Sequence, residues 1–142
     1  MRRGGFTMIE LIFVIVILGI LAAVALPKFI GVTEQAQAGK LKGFVGTMNR
    51  TVLPTLWSKS IAEGKNGSIK NLSVSLSDYI DIPQEATINN FPGGCNAGGS
   101  GSIGTYLAGS KNITIYCRDG NQTNAPFLTL VSGSTEANLT IQ

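Results

Sequence analysis

The chain changes its hydrophobic rhythm twice. Phe6 to Leu26, FTMIELIFVIVILGILAAVAL, is a membrane-length apolar run with one carboxylate near its start, and from Leu11 to Leu26 no side chain is charged or forms hydrogen bonds. A run of about 20 such residues matches the roughly 30 Å hydrocarbon core of a bilayer. From Lys28 the pattern becomes amphipathic: Leu41, Phe44, Val45, Met48, Val52 and Leu56 fall on one helical face, with Gly43, Thr47, Arg50 and Pro54 opposite. Ala36, Gly39, Gly43 and Gly46 form a second stripe of small residues, either an approach surface for another backbone or a weakened solvated face. The helix is expected to end near Glu63, with Gly64 as a left-handed cap. Continuous from Phe6, it would run about 57 residues, or roughly 85 Å at 1.5 Å per residue.

Two positions weaken this helix. Pro27 cannot donate to the Ala23 carbonyl and crowds the preceding turn, which predicts a kink. Gly19 costs about 1 kcal/mol relative to alanine in a helix interior. Pro54, on the exposed face, makes a second kink more tolerable than a break.

Beyond Gly64 the period shortens to two. Ile103 to Leu107, Asn112 to Cys117, Phe127 to Val131 and Ala137 to Ile141 have strand character, and Ile113, Ile115 and Cys117 alternate with Thr114 and Tyr116. Asp119-Gly120 and Ser132-Gly133 read as turns between strands. Asn71 to Ile82 reads as an extended loop with a turn at Ser77-Asp78-Tyr79, and Phe91 to Ser102 as a glycine-rich loop. The predicted fold class is α+β: a long N-terminal helix packed on a small antiparallel sheet of three or four strands, with Phe44, Met48 and Trp57 in the core. The expected segments are 1–5, 6–27, 28–64 and 65–142.

Glu10 is the exception inside the first block. A carboxylate on the edge of a membrane-length span is costly unless paired, which marks it as functional. The leader MRRGG, the glycine before Phe6, the FTMIE pentad, the apolar run and the Pro27-Lys28-Phe29 exit together resemble the N-terminus of type IV pilins and type II secretion pseudopilins. The strong resemblance covers about residues 1–32; the remainder matches in general layout. It implies a structural fibre subunit, not an enzyme, whose leader is cut between Gly5 and Phe6 by a prepilin peptidase that also methylates the new amine. It further implies extraction from the inner membrane onto an assembly platform, stacking into a homo-oligomeric helical fibre, and unwinding between Gly19 and Pro27 in that fibre. The chemistry agrees: the new Phe6 ammonium would find Glu10 of a neighbouring subunit, since a well-placed charge pair recovers much of the desolvation penalty of either charge alone. A pseudopilin of a secretion system and a non-assembling membrane-anchored adhesive module are the alternatives. An ordinary secretory signal ending at Ala23-Val24-Ala25 fits less well, because the run exceeds the usual 7–15 residues of such signals and carries Glu10.

Charge and cysteines refine the picture. The formal charge of +3 includes Arg2 and Arg3 of the leader; without them 9 basic residues face 8 acidic ones. The two arginines place the leader in the cytoplasm by the positive-inside rule, and everything after Lys28 outside it. A single pass through a bacterial inner membrane with a periplasmic head follows, and then a periplasmic or cell-surface fibre. Cys95 and Cys117, the only cysteines, then lie in an oxidising compartment and read as a disulfide closing a loop of about 23 residues. A disulfide in the C-terminal half is also similar to what many pilins carry.

No other chemistry is indicated. The chain has no histidine, which excludes Ser-His and Cys-His nucleophile arrangements. Its acids are scattered, and Asp119 stands almost alone where major pseudopilins resemble one another in holding calcium. No cofactor, metal or catalytic residue is assigned. Of six N-x-S/T triplets, those at Asn121 and Asn138 carry an acid two residues upstream, a pattern resembling the extended acceptor of bacterial N-glycosylation. With four basic and five acidic residues after Gly64, no phosphate-binding footprint exists and no nucleic-acid partner is predicted.

Overall fold

The computed structural model describes residues 4–133. The expected strand Ala137–Ile141 and the acceptor Asn138 lie outside those residues. Helix α1, Met8–Thr47, continues through a π-turn, Met48–Val52, into α2, Leu53–Ala62. The helical stretch Met8–Ala62 spans 55 residues, about 80 Å. It ends where expected, with Gly64 at φ 73°.

Helix α1 passes through both Gly19 and Pro27 without interruption. The expected kink at Pro27 therefore produces no break in the helix of the free chain. The interruption lies later, ahead of Pro54. In an α-helix a proline strands and crowds the carbonyl of residue i−4, here Arg50. The chain adds a π-turn instead, in which the Leu53 N–H reaches the Met48 carbonyl. Pro54 then opens α2, where its missing N–H costs little, and is half-buried rather than fully exposed.

Among the described residues, four antiparallel strands follow in sequential order: β1 Ala86–Ile88, β2 Gly101–Ala108, β3 Lys111–Arg118 and β4 Phe127–Ser132. Strands β2 to β4 match the three expected runs, lengthened by one to three residues. Strand β1 is an addition to the expected runs: it is three residues long beside Pro83 and Glu85, too short for its Ala-Thr-Ile alternation to mark a strand. The tight turn is Gly109-Ser110, between β2 and β3, with Gly109 at φ 61°. Asp119-Gly120 does not form a tight strand turn but opens the loop 119–126. Between α2 and β1, a short 3-10 turn at Leu76–Asp78 lies one residue from the expected position.

The sheet lies on the later half of the helix. Leu41, Phe44, Val45, Met48, Val52, Leu53 and Leu56 are buried against Ile103, Tyr106, Ile115, Leu128 and Leu130. Each such aliphatic side chain removed from water stabilises the head by about 1.5–3 kcal/mol. Trp57 is a correction: it sits half-buried at the rim, where its Nε1–H donates to the Asn121 carbonyl at 2.8 Å. Cys95 and Cys117 are joined, with Cα atoms 4.6 Å apart, and tie the loop after β1 to strand β3.

Candidate functional site

The head leaves the first half of α1 bare. From Met8 to Phe29, large apolar side chains such as Ile9, Phe13, Leu18, Leu21 and Leu26 are exposed, and none of the most apolar window is covered. By length and composition this helix is long and apolar enough to cross a membrane. A soluble protein does not leave such a surface to water, so the bare stretch is a contact surface.

At its head stands Glu10. The helix begins at Met8, not Phe6, because Thr7 is its N-cap. The Thr7 Oγ1 accepts from the Glu10 N–H at 3.3 Å, while Glu10 Oε2 accepts from the Thr7 N–H at 2.8 Å and the Thr7 hydroxyl at 2.9 Å. This reciprocal capping box satisfies two orphan donors of the first turn. The carboxylate that sequence reasoning assigns to a neighbour's ammonium is thus already oriented within its own chain. Thr7 was not singled out from the sequence, although Thr7-x-x-Glu10 ahead of an apolar run is the signature of such a box.

Gly5 and Phe6 lie outside the helix and are exposed. A Cβ built on Gly5 meets nothing within 4 Å, and the same holds for Gly19 and for Gly39, Gly43 and Gly46 of the small-residue stripe. None of these glycines is required by packing within the chain. Pro27 lies on the exposed stretch of α1, five turns from the capping box.

The head is clasped to the helix just before the hydrophobic core begins. The Gly109 N–H donates to Gln37 Oε1 at 2.6 Å and the Tyr106 hydroxyl to the Gln37 carbonyl at 3.0 Å. Lys111–Glu34 and Lys40–Glu85 ion pairs flank them, at 2.7 and 2.9 Å. The hydrogen bond from Lys40 holds Glu85 below the usual carboxylate range, and the same bond raises Lys40. Glu34 raises Lys111 in the same way. On the opposite edge, the Asn49 amide pairs with β4 like a strand: Nδ2–H donates to the Leu128 carbonyl at 3.1 Å and Oδ1 accepts from the Leu128 N–H at 2.8 Å.

Asp119, considered above as a lone calcium candidate, has a structural task. Its carboxylate accepts from the Ser68 hydroxyl at 2.5 Å, the Ile69 N–H at 2.8 Å and the Gly120 N–H at 2.9 Å, with a longer contact to the Lys70 N–H at 3.4 Å. It joins the loop after α2 to the loop after β3. The acid two residues before Asn121 is therefore explained without glycosylation. Asn121 itself is exposed, and its Oδ1 accepts from Thr123 and Asn124 in a local turn.

Comparison with known proteins places this arrangement. Residues 1–26 match the family model described as the prokaryotic N-terminal methylation motif. The chain is 32% identical over 118 residues to the type IV narrow pilus major component PilA5 of Thermus thermophilus, covering 81% of this chain and 96% of that one. It is also 32% identical to the type IV major fimbrial protein FimA of Dichelobacter nodosus, over 62% of this chain and 67% of the relative. The type IV major alpha-pilin of Moraxella bovis is 29% identical over 80% of this chain and 74% of its own. No solved structure matches the chain. A bare apolar helix headed by a capped glutamate, a four-stranded head behind it and similarity along nearly the whole length of a pilus component have one meaning: the chain belongs to the type IV pilin family.

Proposed function

We propose that the protein is a non-enzymatic structural subunit of a type IV pilus-like fibre, matured by cleavage between Gly5 and Phe6 and methylation of the new amine. The observation that carries this reading is the uncovered helix Met8–Phe29 with Glu10 at its start. Cleavage frees an ammonium at Phe6, two residues before the first residue of a helix whose N-terminal partial positive charge already favours the Glu10 carboxylate. In the bilayer the apolar surface is satisfied by lipid; in the fibre it is satisfied by neighbouring helices. Apolar packing alone gives little register in lipid, so the Phe6 ammonium of an incoming subunit sets it by pairing with Glu10 of the subunit beside it. Gly5 meets no atom within the chain, so its role is to be read by the peptidase, with the small residue admitting the backbone to that enzyme. The leader then lies in the cytoplasm and the head in the periplasm before extraction. Gly19 and Pro27 act as the place where the helix unwinds when packed in the fibre. Comparing the helical hydrogen bonds of free and assembled subunits tests this last point, and an intact ladder in the fibre would remove it.

The pilin reading is preferred over a calcium-holding pseudopilin because Asp119 spends its oxygens on Ser68, Ile69 and Gly120. The experiment is Glu10→Ala. The variant should insert in the membrane and lose its leader normally yet fail to enter fibres. Normal fibre incorporation would overturn the proposal in favour of a simple anchored module. Replacing Gly5 with a bulky residue should leave the leader attached while the head folds unchanged.

A further inference from the structure

We infer that Asn66-Gly67 is a site of spontaneous chemical modification, a succinimide-forming deamidation site built into the loop after α2. The inference is independent of the fibre reading. Ten asparagines occur in the chain, and this one alone precedes glycine. Without a β-carbon on the following residue, the backbone nitrogen has the least hindered approach to the asparagine side-chain carbonyl. Asn66 is exposed and left-handed, at φ 55°, in a turn outside any helix or strand. The Gly67 N–H, which must lose its proton to attack, donates to no acceptor among the described residues. The Gln122 side chain donates to Asn66 Oδ1 at 3.0 Å, drawing electron density from the carbon under attack.

The contrast with Asp119-Gly120 sharpens the assignment. That pair has the same backbone freedom, but the Asp119 carboxylate is held by four donors, and the Gly120 N–H is occupied as one of them. Asn90 faces Phe91 and Asn121 faces Gln122, whose side chains crowd the approach.

The reaction balances with water alone. The Gly67 nitrogen, deprotonated by base, bonds to Asn66 Cγ; the Cγ–Nδ2 bond breaks and ammonia leaves with the proton. Water then opens the five-membered imide at either carbonyl, giving aspartate or isoaspartate. Isoaspartate inserts a methylene into the main chain immediately before Gly67, which has no slack. A β-carbon at Gly67 would collide with the Asn121 carbonyl and the Trp57 indole. Modification therefore pushes this loop off Asn121 and Trp57 and adds a negative charge to a neutral amide patch.

The test uses the full chain in detergent, folded, incubated at mildly alkaline pH and followed by peptide mass mapping and isoaspartate labelling. The one-dalton gain and the isoaspartate signal should arise at Asn66 before any other asparagine, with a parallel drift in Trp57 fluorescence. Asn66→Gln should lose the label and the drift while keeping the wild-type fold, and Gln122→Ala should slow both. An Asn66 that stays intact while the denatured chain converts, or that converts no faster than the other asparagines, would overturn the inference.

Discussion

Asp119→Ala tests whether the head is held by a polar joint as well as by its core. The substitution removes one charged acceptor shared by the Ser68 hydroxyl and the Ile69 and Gly120 N–H groups. A hydrogen bond to a charged group contributes about 1.5–3 kcal/mol net, and a buried donor left without a partner costs about 1–3 kcal/mol. The Ile69 and Gly120 positions are buried, so water replaces the carboxylate poorly there. Because the bonds share one acceptor and do not add, the expected loss is about 3–4 kcal/mol. At about 4 °C per kcal/mol for a chain of this size, the midpoint falls by about 12–16 °C. Asp119→Asn keeps an acceptor for the backbone donors and lets the Ser68 hydroxyl rotate to accept, so it should cost only about 1 kcal/mol. Denaturant unfolding in detergent, read by Trp57, measures both; Trp57 is the only tryptophan and reports on the same loop. An alanine variant within about 1 kcal/mol of wild type, at unchanged denaturant slope, would refute the joint.

Three further outcomes are expected. Asn49→Ala should cost about 2–3 kcal/mol, because both backbone groups of buried Leu128 lose their partners, and hydrogen exchange at the Leu128 amide should accelerate selectively. Replacing Cys95 and Cys117 together with alanine should cost about 3 kcal/mol, given a sequence separation of 22, and equal stability of wild type with and without reductant would contradict it. Glu85, depressed by the Lys40 hydrogen bond, contributes stability that is present above the unfolded carboxylate pKa and lost as pH falls through its lower folded value. The gap between wild type and Glu85→Gln should therefore close on acidification below about pH 4, and shrink in high salt at neutral pH. Lys40, raised by the same bond, contributes until alkaline pH strips its proton, so the gap closes again at that end.

The helix and its two faces were legible because burial repeats at 3.6 residues: all six positions read as one face, Leu41 to Leu56, are buried. The same periodicity hid the π-turn, since adding one residue ahead of Pro54 also brings Leu53 into the core. Strands β2 to β4 announced themselves through branched and aromatic residues in alternation. Strand β1 takes its pairing from β2, and nothing in Ala86-Thr87-Ile88 demands a strand. At the N-terminus, Glu10 is legible as the one charge in an apolar run and Gly5-Phe6 through the resemblance of the leader, whereas Thr7, a small hydroxyl residue between Phe6 and Met8, barely disturbs the hydrophobic pattern. The tasks of Asp119, Asn49 and Gln37 could not be read, because the backbone groups they bind at Ile69, Leu128 and Gly109 are 50, 79 and 72 residues away and leave no mark in the side-chain pattern.

The sequential strand order bears on how the head comes to exist. Each strand pairs with the one made just before it, so none must wait exposed for a later partner. The helix that receives them is already complete when β1 is synthesised. The last described strand, β4, has one side paired to β3 and the other fastened by Asn49 back to that helix. The head therefore closes like a folded letter, with its final flap sealed to the first sheet of paper. Pulse-labelled exchange during refolding should find the Leu128 amide among the last to be protected; early protection there would mean the flap closes before the page is written.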